Sequence, residues 1–211
     1  MSASRQSVSH PVQYDVVYEA QRNRLTTFFR LILVLPHLVL AALWAIAVYV
    51  TTLIAWFAIL VTGRYPAGLH DFARRYFVYA GRINGYYGLL TDVYPPFGAS
   101  GDYPVRITVE APDRHSRLTT FFRYVLIIPA LIGVYLLGIA QNAVTFLAWI
   151  IIVITGRMPL PLQNFILFVH RFVARTGAYA LLLVDAYPSF ADGDATAASP
   201  PPAEPAEPAA W

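Results

Sequence analysis

Two stretches of this 211-residue chain, Leu31 to Val61 and Tyr124 to Thr155, run for 31 and 32 residues without one Asp, Glu, Lys or Arg. As a single helix the first would extend roughly 47 Å at about 1.5 Å per residue, against a hydrocarbon core of about 30 Å. Two such runs need a non-aqueous home. Composition agrees, with 57% hydrophobic and 13% charged residues where soluble domains carry roughly 45–50% and about 25%. All fifteen basic residues are Arg and there is no Cys, which excludes disulfides, thiolate metal ligands and thiol nucleophiles. The opening "MSASRQSVSHPVQ" is polar and lacks the apolar segment of a signal peptide. Insertion is therefore expected to rely on the internal runs.

The two runs belong to a repeat. One gapless offset of 93 residues superposes "RLTTFFR" at 24–30 on the same heptad at 117–123, Pro36 on Pro129, Trp56 on Trp149, "TGR" at 62–64 on "TGR" at 155–157, and Asp92 on Asp185. Such agreement marks a duplication. The expected organisation is a polar extension over 1–9, repeat one over 10–98, repeat two over 103–191, and a tail over 192–211. The tail, a Pro, Ala and acid mixture, reads as disordered. Without its four acids the chain has fifteen Arg against eight acids, a formal +7.

Each repeat opens on a short strand, "PVQYDVVYE" or "PVRITVEAP", and two equivalent strands can pair across the repeats. Asn23 and Ser116 precede the heptads as helix N-caps. Each apolar run then has two readings: a transmembrane hairpin with a tight turn near 44–46 or Gly138, or a surface helix bent at Pro36 and followed by one span. Arginines flank both ends of each run, so the positive-inside tendency asks for an even number of crossings and favours the hairpin. After "TGR" and its Pro comes an amphipathic helix, expected at the membrane interface, more apolar in the second copy. "LLTDVYPPF" and "LLVDAYPSF" close the repeats as extended segments. The expected fold class is an α-helical integral membrane protein built from two such units. In the heptads, Arg24, Arg30, Arg117 and Arg123 are expected to act as interfacial anchors that reach lipid phosphates.

The strings "RLTTFFR", "WFAILVTGRYP" and "LLTDVYPPF" resemble the bacterial multi-pass membrane family known as domain of unknown function four-three-eight-nine, present here as two tandem copies. The second copy departs from the pattern, reading "WIIIVITGRMP" without the Gly and His after the Pro. The resemblance implies a multi-pass protein of the bacterial inner membrane and no catalytic residue.

Within the repeats, Arg64, Arg82 and Asp92 recur as Arg157, Arg175 and Asp185. They form either a structural ion pair tying the closing segment to the "TGR" turn or an anion or lipid-headgroup site. His37, beside Pro36, reads as an interfacial or packing residue, and Gln141 and Asn142 as caps of the hairpin turn or bridges between helices. The scattered His lack metal spacing, and no phosphate loop or nucleophile elbow occurs. No catalytic residue, cofactor or metal ligand is expected. The reading is a non-enzymatic accessory or scaffold subunit with both termini cytoplasmic, the alternative a small transporter or anionic-lipid-handling protein. Expected partners are anionic lipids and other membrane subunits or a second copy; nucleic acid is not expected, because the arginines flank the apolar runs.

Overall fold

The computed structural model describes residues 10–190, so the N-terminal extension and the acidic tail lie outside the described residues. Strand β1 (Val12–Val16) pairs antiparallel with β2 (Val105–Val109), joining the repeats as expected. Tyr14 stands opposite Ile107, its own mate at the 93-residue offset. A pseudo-twofold axis therefore passes through the centre of the sheet. Val12, Tyr14 and Val16 turn inward while Asp15 faces out, the alternation a one-sided sheet requires.

Helix α1 runs unbroken over Arg24–Thr62, 39 residues or about 58 Å. Asn23 caps it, accepting from the Leu25 and Thr26 amides, and Gly63 ends it at φ 73°, a left-handed conformation that Gly adopts without a Cβ penalty. No hairpin turn forms near residues 44–46. The stretch around Trp44 holds good helix formers and no Gly, Pro or Asn, so nothing there supplies reversed backbone geometry. Pro36 is accommodated inside the helix.

In the second copy α3 (Arg117–Leu126) and α4 (Ile128–Thr155) together replace α1, with the break at Ile127 two residues before Pro129. Proline lacks the amide that would bond back to Val125. Gly138 lies within α4 and makes no turn, a mid-helix glycine costing only about 1 kcal/mol. The helical hairpins expected from sequence are thus replaced by one continuous helix and one kinked rod.

Helices α2 (Ala67–Tyr87) and α5 (Leu160–Ala180) are the expected amphipathic pair, α5 the more buried. Each turns back along the helix before it: Tyr86 and Tyr79 pack on Val34, and Trp44 meets Phe72 and Tyr76 at 6.0 and 5.9 Å between ring centroids. The sheet packs on α2 and α5. Its close approach requires Gly85, where a Cβ would lie 2.7 Å from the Tyr14 hydroxyl and 2.8 Å from Val105. Three layers result: α1 beside α3 and α4, then α2 and α5, then the sheet.

The two long rods run antiparallel. Trp56 Nε1 donates to the Thr120 carbonyl at 2.9 Å, and Trp149 Nε1 to the Thr27 carbonyl at 3.0 Å, the same contact seen from either repeat. At the ends, the Arg22 amide donates to Gly156 O and the His115 amide to Gly63 O. The start of each rod is thereby tied to the finish of the other.

Candidate functional site

The heptad places its second arginine three residues beyond a buried threonine, on the stripe that faces the protein: Thr27 and Arg30 in α1, Thr120 and Arg123 in α3 are all at most 2% exposed. A buried guanidinium must find acceptors for a fixed fork of donors. Arg30 Nη1 donates to the carbonyls of Tyr86 (2.6 Å) and Thr91 (3.0 Å), Nη2 pairs with Asp92, and the guanidinium lies 4.4 Å over the Tyr86 ring. Arg123 repeats this with Tyr179 O and Val184 O, both at 2.8 Å, with Asp185, and with the Tyr179 ring at 4.3 Å. Leu89 and Leu182, at φ 62° and 63°, reverse the chain between the two carbonyls of each set. Asp92 and Asp185 then accept from the amides of the N-cap residues Asn23 (2.6 Å) and Ser116 (2.7 Å). Each clasp joins the start of a rod to the end of its amphipathic helix and to its closing segment.

This geometry revises the expected pairs. Neither aspartate meets the "TGR" arginine: Arg64 and Arg157 are exposed at the rod ends. Arg82 donates to the carbonyls of Ser100 (2.9 Å) and Gly101 (2.8 Å) and lies 5.4 Å over Tyr103, and Arg175 donates to Ser189 O at 3.0 Å. The expected snorkelling anchors also divide. Arg24 and Arg117 are exposed, whereas Arg30 and Arg123 are the clasp. In helix α1 the two arginines are six residues apart, which puts them on different faces.

The surroundings of the clasps differ. In the first copy Arg22 Nη2 donates to Leu90 O (2.9 Å) and to Gln163 Oε1 (3.1 Å) from the other repeat. Its mate is His115, whose Nδ1 is 2.8 Å from Asp185 Oδ1. Burial would raise the Asp185 carboxyl, but the His115 hydrogen bond, the Ser116 amide and the charges of His115 and Arg123 outweigh it and hold it below its ordinary range. His70, the mate of Gln163, faces His115, and burial followed by that neighbour lowers its proton affinity. Burial pushes the Tyr65 hydroxyl, beside both His rings, up to about 12. Arg22, His70, His115 and Gln163 were not singled out in the sequence, because each repeat-equivalent pair mixes residue types.

His37 is a packing residue: buried, 2.8 Å from the Tyr79 hydroxyl through Nδ1 and stacked on Phe97 at 4.3 Å. Gln141 and Asn142 have no turn to cap. Asn142 and Thr145 instead line a crevice of about 400 Å³ with Arg30, Leu31, Phe146 and Trp149. Tyr49, Thr52 and Tyr124, the mates of Asn142, Thr145 and Leu31, line a second cavity of about 290 Å³ between α2 and α5. Among the described residues no three His, Asp or Glu converge on a metal-sized site.

Outside the clasps the rods are bare. The buried or half-buried positions of α1 form one stripe through Thr27, Arg30, Val34, His37, Ala41, Trp44, Val48, Thr52, Ala55 and Ile59. The remaining circumference carries Leu, Ile, Val and Phe, among them Leu31, Val39, Ile46 and Phe57, all more than half exposed. Helices α1 and α4 are long and apolar enough to cross a membrane, and only 17% and 11% of their most apolar windows are buried.

The profile of the domain of unknown function DUF4389 matches residues 24–99 and 117–192. The chain belongs to this family. Its two DUF4389 copies begin at the heptad arginines and include both clasps apart from the cap amides of Asn23 and Ser116, while the paired strands lie ahead of each match. No curated protein and no solved structure shows a match to the chain.

Proposed function

We propose that this DUF4389 protein is a membrane-embedded, non-enzymatic accessory or scaffold protein of the bacterial inner membrane, with both termini on the cytoplasmic side. The observation that supports this most is the apolar surface running the full length of α1 and α4. Monomeric soluble proteins rarely leave contiguous apolar patches beyond a few hundred Å². The charged residues shared by the copies support a structural role, since Arg30, Asp92, Arg123 and Asp185 are occupied in holding backbone. The exposed arginines Arg24, Arg64, Arg117 and Arg157 at the rod ends suit anionic headgroups, and other membrane subunits or a second copy would meet the apolar flanks.

Membranes from cells expressing the full chain would test this by washing. The protein should stay with the pellet through high salt and alkaline carbonate and leave it only in detergent. Release by carbonate would overturn the reading. Replacing the four rod-end arginines by Gln should reduce co-purified anionic lipid, whereas Asp92→Asn should leave it unchanged. The crevice beside Asn142, Thr145 and Trp149 favours a second reading, lipid handling. It is tested by Asn142→Leu, which should lower bound lipid without lowering the melting temperature.

A further inference from the structure

A 39-residue apolar helix invites the assumption that it crosses the bilayer. Three observations on this molecule argue for a different placement. First, α2 lies alongside the first half of α1: the Tyr79 hydroxyl meets His37, and Phe72 and Tyr76 meet Trp44, near the α1 midpoint. One turn around Phe72 carries Asp71, Arg74 and Arg75, whose side chains are 42%, 43% and 62% exposed. On a helix spanning the membrane this cluster would sit at mid-depth facing lipid, where exposed charges are rare and costly. Second, the Asp15–Arg171 ion pair sits on the sheet layer, with Asp15 56% exposed. The sheet rests on α2 and α5, on the opposite side of those helices from the rods.

Third, the axis relating the copies crosses the rods rather than running along them, because Trp56 to Thr120 and Trp149 to Thr27 exchange under it. If the rods spanned the bilayer, the axis would lie in the membrane plane and would put Arg24 and Arg117 on opposite sides. If the rods lie flat, the axis stands along the membrane normal and every duplicated motif meets the same surroundings. The rod ends agree with the flat arrangement. Arg24 packs against Gly156, where a Cβ would lie 3.1 Å from its Nε, beside Arg157, and Arg117 packs against Gly63 beside Arg64. Both ends are therefore equally cationic. A helix with side chains is about 10–12 Å thick, close to the roughly 15 Å of one leaflet's hydrocarbon.

We infer that α1 and the α3–α4 rod lie in the plane of a single leaflet, as an apolar raft about 58 Å long, with α2, α5 and the sheet standing above it in the headgroup region and water. The partner of this surface is the acyl layer of one leaflet, and the four rod-end arginines hold it level at the phosphates. This inference rests on the membrane-embedded reading and differs from it in topology alone. It also removes the need for any crossing to bring both ends of each apolar run to one side.

The chain has no Cys, so single cysteines report without background. In the full chain in native membranes, cysteines replacing Arg24, Arg64 and Arg75 should all react with an impermeant maleimide from the same face, in inverted vesicles and not in right-side-out ones. Reaction of Arg24→Cys and Arg64→Cys from opposite faces would overturn the inference and leave the membrane reading standing. Nitroxides at Ile32, Val39, Ile46 and Leu53, exposed positions spaced by seven on one stripe, give an independent measure in purified protein returned to phosphatidylglycerol-containing vesicles. Equal depths within one leaflet are expected, whereas a spanning helix would change depth by about 10 Å at each step and pass through the midplane. Water-level accessibility at all four would overturn the inference and the membrane reading together.

Discussion

The clasps of Arg30 and Arg123 hold the same two carbonyls and the same carboxylate, yet each stands beside a different neighbour. Arg22 flanks the first and reaches across the axis to Gln163; His115 flanks the second and binds Asp185 itself. The clasp, made within one repeat, is thus the same in both copies. Contacts that cross the axis can match, as the two Trp bonds do, or differ, because there each residue faces the mate of the residue its own mate faces. Arg22 needs an acceptor and finds the Gln163 carbonyl oxygen, whereas His70 in the equivalent place faces a His. The self-contained clasp sets the fold, and the junctions carry the individuality.

The largest expected effect tests whether the clasps are equivalent. Arg30→Met should destabilise the protein by about 2–4 kcal/mol, because it leaves a partly buried carboxylate and two carbonyls without their donor. Arg123→Met should cost less, since His115 stays on Asp185. Thermal unfolding in a mild detergent reads both, and equal losses would show that His115 contributes nothing to the second clasp. Replacing the carboxylates should reverse the order. Asp92→Asn should cost about 1–3 kcal/mol, and Asp185→Asn more, as Arg123, His115 and the Ser116 amide then compete for one neutral oxygen. A smaller loss at Asp185 would break the comparison.

A smaller and equal effect is expected where the copies agree across the axis. Trp56→Phe and Trp149→Phe each remove one indole donor, about 1 kcal/mol, and their melting shifts should match. The smallest effect lies in pH. The folded His70 takes up its proton below its ordinary 6.5, through burial and then His115, with Arg74 also opposing and Asp71 favouring protonation. The unfolded chain therefore binds that proton first, so stability is full above pH 6.5 and falls as pH drops through the folded value. His70→Gln, which gives the first copy the residue of the second, should flatten that slope in melts between pH 7.5 and 5.5. Asp185 acts in a separate window. Its carboxyl is held below the ordinary 3.8, so its contribution persists above that value and is lost only as pH falls beneath it.

Much of the architecture was legible because it is local or periodic. The 93-residue offset, the caps at Asn23 and Ser116, the paired strands and the two amphipathic helices all follow from patterns within a few residues of each other or from the identity of the copies. The unbroken α1 is also written there, in the absence of any turn former around Trp44, although length and flanking charge by themselves favour a hairpin. Flanking charge reports which side of a membrane the ends occupy. It does not report how the chain between them lies.

The partners of Asp92 and Asp185 were not legible. Arg30, Arg64 and Arg82 all recur in register, and periodicity cannot say which one comes close. That choice belongs to the fold: α2 doubles back along α1 until Tyr86 reaches Arg30, and the positive φ of Leu89 turns Thr91 and Asp92 onto the same guanidinium. Sequence alone determined that two copies of one apolar unit would be made, because duplication and hydrophobicity are additive along the chain. Which charges are buried, and which apolar faces are left uncovered, only tertiary packing decided, because a buried arginine is defined by acceptors some 60 residues away.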